Sequence, residues 1–371
     1  MYELISVDDH IIEPPDVWTT RVSAKFKDLV PHVVELDNGT EAWMLNGAPA
    51  ATMGLNAVAG RPQEAWDMDP LRYSDMIEAC YNPVVRAKEM RADGVVGSIN
   101  FPSLLGFAAA KILDFNDKKL ALHIVQSYND WHIDTWAAAD PDLFIPMMAL
   151  PLWDPALCAA EVRRTAALGA RCITFPEDPG NLGLPNLWTD GWDPLWDALT
   201  ETGLVVNCHI GTAGNMPFPP GSAFHVTIML SQVTAAIGMV NLIESPVLRK
   251  WSKLQFAFSE GGLGWIAAQL ERCDRMWDRH KMWSRLDGML PSDIFRRNIL
   301  GTFVDDQIGI DLRHHIGVDR IMWESDFPHV ETPWPHSQDV MKRLMHDVPD
   351  DEAVAMTNGN ARRVYNWPQK V

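Results

Sequence analysis

Leu4-Ile5-Ser6-Val7-Asp8-Asp9-His10-Ile11-Ile12-Glu13-Pro14 is a short apolar strand that runs straight into a carboxylate, an imidazole and a second carboxylate. Side chains two apart on a strand point the same way, so Asp8 and His10 are expected to project together from its C-terminal end. An oxygen and a nitrogen donor on one face is metal-ligand spacing. Glu13 falls in the loop just beyond, before two prolines, and is expected to lean over the same point as a further ligand. Alone, Asp-Asp-His serves equally as a polar strand end ahead of a helix cap. Two distant stretches separate these alternatives.

Leu204-Val205-Val206-Asn207-Cys208-His209 and Arg320-Ile321-Met322-Trp323-Glu324-Ser325-Asp326-Phe327-Pro328-His329 repeat the design, each an apolar run ending in imidazole or acid. Further strand patterns fall at 95–102, 143–150, 170–176, 253–260 and 299–303, separated by amphipathic or capped segments such as Asp154-Pro155, which reads as an N-cap followed by an N1 proline. Eight strand–helix alternations predict an α/β chain, a metal-binding (β/α)8 TIM barrel forming one domain over 1–371. In such a barrel all strands end on one face, so Asp8, His10, His209 and Asp326 converge although they lie far apart in sequence. Glu260, closing the sixth strand, joins the same face. Residues about 15–80 do not read as a barrel unit: Asp37-Asn38-Gly39 between two apolar runs is a β-hairpin signal, and 48–70 lacks periodicity and is expected to be a long loop.

The formal net charge of -18 leaves no basic patch for nucleic acid or an anionic membrane. Five scattered cysteines without a C-x-x-C pair fit poorly with a disulfide framework, and no unbroken run of about 18 apolar residues occurs, so a cytoplasmic protein is expected. The Trp- and Met-bearing insertion predicts a buried partner surface, hence a homodimer or larger assembly, or a hetero-oligomer with a paralogous barrel.

Asp8-x-His10-x-x-Glu13-Pro14, Tyr128-Asn129-Asp130-Trp131, Pro141-Asp142-Leu143-Phe144, Cys208-His209-Ile210-Gly211, Gly261-Gly262-Leu263-Gly264-Trp265 and Glu324-Ser325-Asp326-Phe327-Pro328-His329 follow one another along nearly the whole chain. In that order they resemble the amidohydrolase-related branch of the amidohydrolase superfamily, the group that includes aminocarboxymuconate-semialdehyde decarboxylase and the aromatic-acid decarboxylases. The resemblance implies a metal-binding barrel with metal positions at Asp8, His10, His209 and Asp326. One departure stands out: the family's strand-six histidine is replaced by Glu260, within Phe258-Ser259-Glu260-Gly261. Thr174-Phe175-Pro176 also leaves strand four without a lysine to bridge two metals.

The leading expectation is a hydrolase acting on a small organic molecule with a water activated by one or two divalent ions, Zn²⁺, Mn²⁺ or Fe²⁺. Asp326, His209 and Glu260 are its expected catalytic groups, and His329 is expected to touch substrate. A non-oxidative decarboxylase of a small carboxylic acid is the first alternative. A carboxylate-rich dinuclear Fe or Mn oxygenase is another, as is a weakly active barrel partnering an active paralogue.

Overall fold

In the computed structural model, which describes residues 1–66, 70–214, 219–283 and 288–368, β1 (Leu4–Ile11) is buried at all eight positions. The chain then leaves the barrel for a small antiparallel sheet of β2 (His32–Glu35), β3 (Glu41–Leu45) and β4 (Ala48–Thr52). Its first turn forms as expected, with Gly39 at φ 77°, a conformation that costs glycine little. β4 was not expected. Ala-Pro-Ala-Ala-Thr carries no strand signature, but β4 is an edge strand, where Pro49 need not donate a ladder hydrogen bond.

The barrel strands follow in order: β5 (Val95–Pro102), β6 (Phe144–Ile145), β7 (Met147–Met148), β8 (Cys172–Thr174), β9 (Val205–His209), β10 (Phe256–Ser259), β11 (Ile299–Phe303) and β12 (Ile321–Trp323). All their pairings are parallel. The expected strand over 143–150 is split at Pro146, which lacks an N–H: Phe144–Ile145 pairs with β5 and Met147–Met148 with β8. The ring closes just past β12, where the Asp326 N–H donates to Asp8 O at 2.8 Å and the His10 N–H to Phe327 O at 2.7 Å. The two split pieces fill one barrel position, and the architecture is the expected eight-position α/β barrel.

Helices cover the outside: α1 (Pro83–Ala92), α2 (Lys118–Trp131), α3 (Pro155–Ala167), α4 (Asp193–Thr202), α5 (Phe224–Glu244), α6 (Val247–Lys250), α7 (Gly264–His280) and α8 (Pro291–Asn298) lead the series. Asp154 caps α3, accepting N–H bonds from Ala156 and Leu157 as its sequence predicts. By length and composition α5 could cross a membrane, with a mean hydropathy of 1.8. Here it lies on the barrel, and Ser245-Pro246 separates it from α6, dividing the single helix expected over 226–249.

Alternation sorts the strand residues. Ile5, Val7, Phe101, Met147, Val205 and Met322 fill the barrel interior, while their neighbours join the larger core under the helices. Tyr365 and Trp367 pack into the interior set, and the Tyr365 hydroxyl donates to Asn207 Oδ1 at 3.1 Å. All five cysteines are buried and free.

The insertion covers its own barrel. Trp43, Met53 and Ala57 are buried within this chain, and the Val58 and Ala59 N–H groups both donate to Pro328 O at 3.0 Å. Trp43, Met53 and Ala57 therefore need no partner's surface, while Phe26, Leu29 and Trp66 of the same insertion are exposed. The most exposed large apolar side chains past the N-terminal methionine include Met229 on α5 and Met282 and Trp283 past α7.

Candidate metal centre

Strand ends bring the donors together. His10 Nε2 lies 3.4 Å from Asp8 Oδ1, 3.3 Å from Asp326 Oδ1 and 3.2 Å from His209 Nε2. Glu260 Oε1 completes the group, 3.1 Å from His209 Nε2 and 3.5 Å from His10 Nε2. Asp8, His10, His209 and Glu260 form one donor set, and His10, Glu260, Asp326 and His329 an overlapping one. Bonds of about 2.0–2.2 Å in a tetrahedral site put neighbouring donors roughly 3.3–3.6 Å apart. The observed edges are close to that spacing.

Hydrogen bonding says the same. His209 Nδ1 lies 2.7 Å from Ile210 O, which can only accept, so Nδ1 carries the proton and the neutral ring turns the lone pair of Nε2 toward the cluster. Neither oxygen of Asp8 has a hydrogen-bond partner among the described residues, although the side chain is fully buried. Buried carboxylates without donors are costly unless a cation or proton neutralises them. Asp8, His10, His209, Asp326 and Glu260 thus fit a divalent cation in donor type, spacing and unmet polarity.

The electrostatics of the site show the same tension. Burial, then the charges of Glu324 and Glu260, pushes Asp8 well above the usual carboxylate range, and burial with Glu260 does the same to Asp326. Burial and His329 pull His10 well below an ordinary imidazole. Burial alone would raise Glu260, but His209, His10 and His329 outweigh it and hold the carboxyl well below its usual range. For His209 burial works downward, and Glu260, together with the Ile210 carbonyl and Glu177, more than reverses it. Glu260 and Asp326 both sit at positive φ, 53° and 54°. Such a backbone costs about 1–3 kcal/mol in a non-glycine residue. Local bonds hold it: the Glu260 N–H donates to Glu324 Oε1 at 3.1 Å, and the Asp326 N–H to Asp8 O.

Glu13 is not in the cluster. Its carboxylate accepts the N–H groups of Ser103 and Leu104, both at 3.0 Å, and so braces the loop after β5. His329, expected to touch substrate from a loop, stacks on His10 with ring centroids 3.8 Å apart and puts Nδ1 2.9 Å from Asp326 Oδ1. Three supporting residues escaped the sequence reading. Asp9, on the opposite face of β1, accepts from the Ser98 hydroxyl and from the Phe327 N–H at 3.1 Å. Arg86 is buried on α1, donates to His10 O at 2.8 Å and stands 4.2 Å above the Phe327 ring. Glu177, just beyond β8, is buried and accepts the Thr234 hydroxyl at 3.1 Å. The second aspartate of Asp-Asp-His was a usable signal; nothing in the spacing marked the other two.

The donors floor a cavity of about 170 Å³ whose lining includes Phe107, His209, Gln232, Glu260, Asp326 and His329. The Phe107 ring lies 4.2 Å from that of His209 and 4.5 Å from that of His10, centroid to centroid. Beside it lies a cavity of about 700 Å³, and Asn56 and Phe107 line both. Gly211, Thr212 and Gly214 wall the larger one, as expected of the loop after β9, of which residues 215–218 lie outside the described residues.

Comparison with curated protein sequences finds no match. Among solved structures, an amidohydrolase from Mycobacterium avium subsp. paratuberculosis K-10 is 21% identical with a TM-score of 0.77, over 98% of this chain and 99% of that one. The 5-carboxyvanillate decarboxylase of Sphingomonas paucimobilis is 19% identical with a TM-score of 0.68, over 99% of each chain. A dihydroxybenzoic acid decarboxylase from Polaromonas sp. JS666, solved with manganese and 2-nitroresorcinol, is 17% identical with a TM-score of 0.66, over 100% of this chain and 98% of that one. At these identities the likeness is one of fold. Residues 85–367 match the family model described as Amidohydrolase, and with most of its length so matched the chain belongs to the amidohydrolase family.

Proposed function

We propose that this protein is a metal-dependent, non-oxidative decarboxylase of a small hydroxylated aromatic acid. The observation that carries the proposal is the donor cluster flooring a cavity walled by Phe107, with the Asp326–His329 pair 2.9 Å apart on its edge. Decarboxylases of hydroxylated benzoic acids recur among the proteins of like fold, which favours this reading over the hydrolase that the sequence put first. The missing strand-six histidine counted against decarboxylation. His329 supplies an imidazole to the same cavity from the other side, so that objection weakens.

Asp8, His10, His209 and Asp326, with Glu260, would hold the ion, and a set this rich in oxygen suits Mn²⁺. One ion is proposed: both donor sets need His10, whose Nε2 has a single lone pair to give. When bound, the ion would supply a positive charge that favours an anionic substrate and draws electron density from its ring. Phe107 packs on the ring and keeps water from it. The Asp326 carboxyl is placed to protonate the ring carbon that bears the carboxylate. The carbon–carbon bond then breaks, its electron pair returns to the ring, and CO₂ leaves; His329 restores the proton to Asp326.

The test is CO₂ release from 2,6-dihydroxybenzoate, 5-carboxyvanillate and related hydroxybenzoates by Mn²⁺-loaded protein in D₂O. One deuterium at the vacated ring carbon is expected. Hydrolysis of esters or amides with no CO₂ from any such acid would return the hydrolase reading.

A further inference from the structure

We infer that Lys111 selects substrates carrying a second carboxylate, at the end of the molecule that points away from the metal centre. This rests on the function proposed above and adds a substrate class to it. The outer cavity is large enough, at about 700 Å³, for a small organic ligand. Its walls are mainly apolar or neutral, with Leu55, Phe107, Ala108 and Leu182 among them. Among the described residues lining either cavity, Lys111 is the one cation.

Its position is built, not incidental. Glu13 fixes the backbone at Ser103 and Leu104. Lys111, on the single turn Ala110–Asp114, donates its own N–H to Leu105 O at 3.1 Å. The residue that looked like a ligand therefore braces the wall that carries the lysine. Lys111 is half-buried and feels the charge of Glu13, but it forms no ion pair within 4 Å of a described carboxylate. The inner cavity runs the other way: Glu260, Asp326 and Glu331 all line it. An anionic substrate is held there chiefly by the metal, and a second anionic group is repelled from that end by the three carboxylates. Lys111 offers it a charge-assisted hydrogen bond at the other, with the apolar walls taking the flat body between.

The experiment is titration calorimetry on the Mn²⁺-loaded full chain with benzoate, isophthalate and terephthalate as probes. The better dicarboxylate is expected to bind about tenfold more tightly than benzoate, or better. Lys111→Met should bring that ratio close to one while leaving benzoate affinity and manganese stoichiometry unchanged, and Lys111→Arg should restore most of it. A flat ratio in the unsubstituted protein, or a ratio that survives Lys111→Met, overturns the inference and leaves the metal-site reading standing. If none of the probes binds in a manganese-dependent way, both fall.

Discussion

At the bottom of the barrel the Tyr365 hydroxyl donates to Asn207 among apolar side chains, whereas at the top both oxygens of Asp8 are buried with no hydrogen-bond donor among the described residues. The same strands supply both ends. β9 carries Val205 and Asn207 into the closed interior and finishes two residues later at His209, in the cluster. One end is mainly apolar packing, in which Asn207 Oδ1 is matched by Tyr365 while Asn207 Nδ2 finds no partner among the described residues, and it contributes to stability. The other is left unmatched, at a cost in stability, so that a ligand can match it.

The sharpest way to break this contrast is His209→Ala. It should lose bound manganese and decarboxylase activity together, by about 10³-fold, since a Lewis-acidic ion is worth several kcal/mol at a developing charge. Unchanged metal content, measured by elemental analysis of purified protein, would remove His209 from the ligand set. At the opposite end, Tyr365→Ala should lower stability in urea by about 3–5 kcal/mol, as loss of a buried aromatic does, with manganese stoichiometry per folded molecule preserved. A loss of metal without a loss of stability would dissolve the division between the ends.

Glu13→Gln sharpens the boundary. If it braces the 103–104 backbone, stability should fall by about 1–2 kcal/mol, KM should rise more than kcat falls, and bound metal should be unchanged. Metal loss in this variant would restore Glu13 as a ligand.

A further expected effect is on pH dependence. Burial raises Asp9, Glu13 and Glu177 each to about 7, against ordinary values of 3.8, 4.5 and 4.5. Between those values and about 7 the folded chain keeps protons that the unfolded chain has released. Their contribution is therefore full in acid and is lost as pH rises through 7. The Tm of metal-free protein should drift down from pH 5 to pH 8, while the rise in Tm on adding Mn²⁺ grows, because Asp8 must shed its proton to bind it. A metal-free Tm that climbs over this range contradicts the assignment.

Barrel class, strand order and the directions of Asp8, His10 and His209 were legible because they are local: a period of two sets where a side chain points at the end of a strand, and parallel connections set which face that is. The fates of Glu13 and His329 were not. Each lies in a loop, and its role depends on which backbone passes nearby: unpaired N–H groups at Ser103 and Leu104 in one case, the ring of His10 in the other. β4 was hidden for a like reason, since its pairing comes from a neighbouring strand and not from its own Ala-Pro-Ala-Ala-Thr.

From the sequence alone came the kinds of donor and the strand ends that carry them, since residue type and alternation are properties of the chain itself. Only the tertiary structure decided which donors share one point, which carboxylate is spent on backbone N–H groups, and that a lone lysine faces the outer cavity. Those outcomes depend on distances of a few ångströms between segments far apart in sequence, set by ring closure at Asp8 and Asp326 and by packing of the insertion across the barrel mouth.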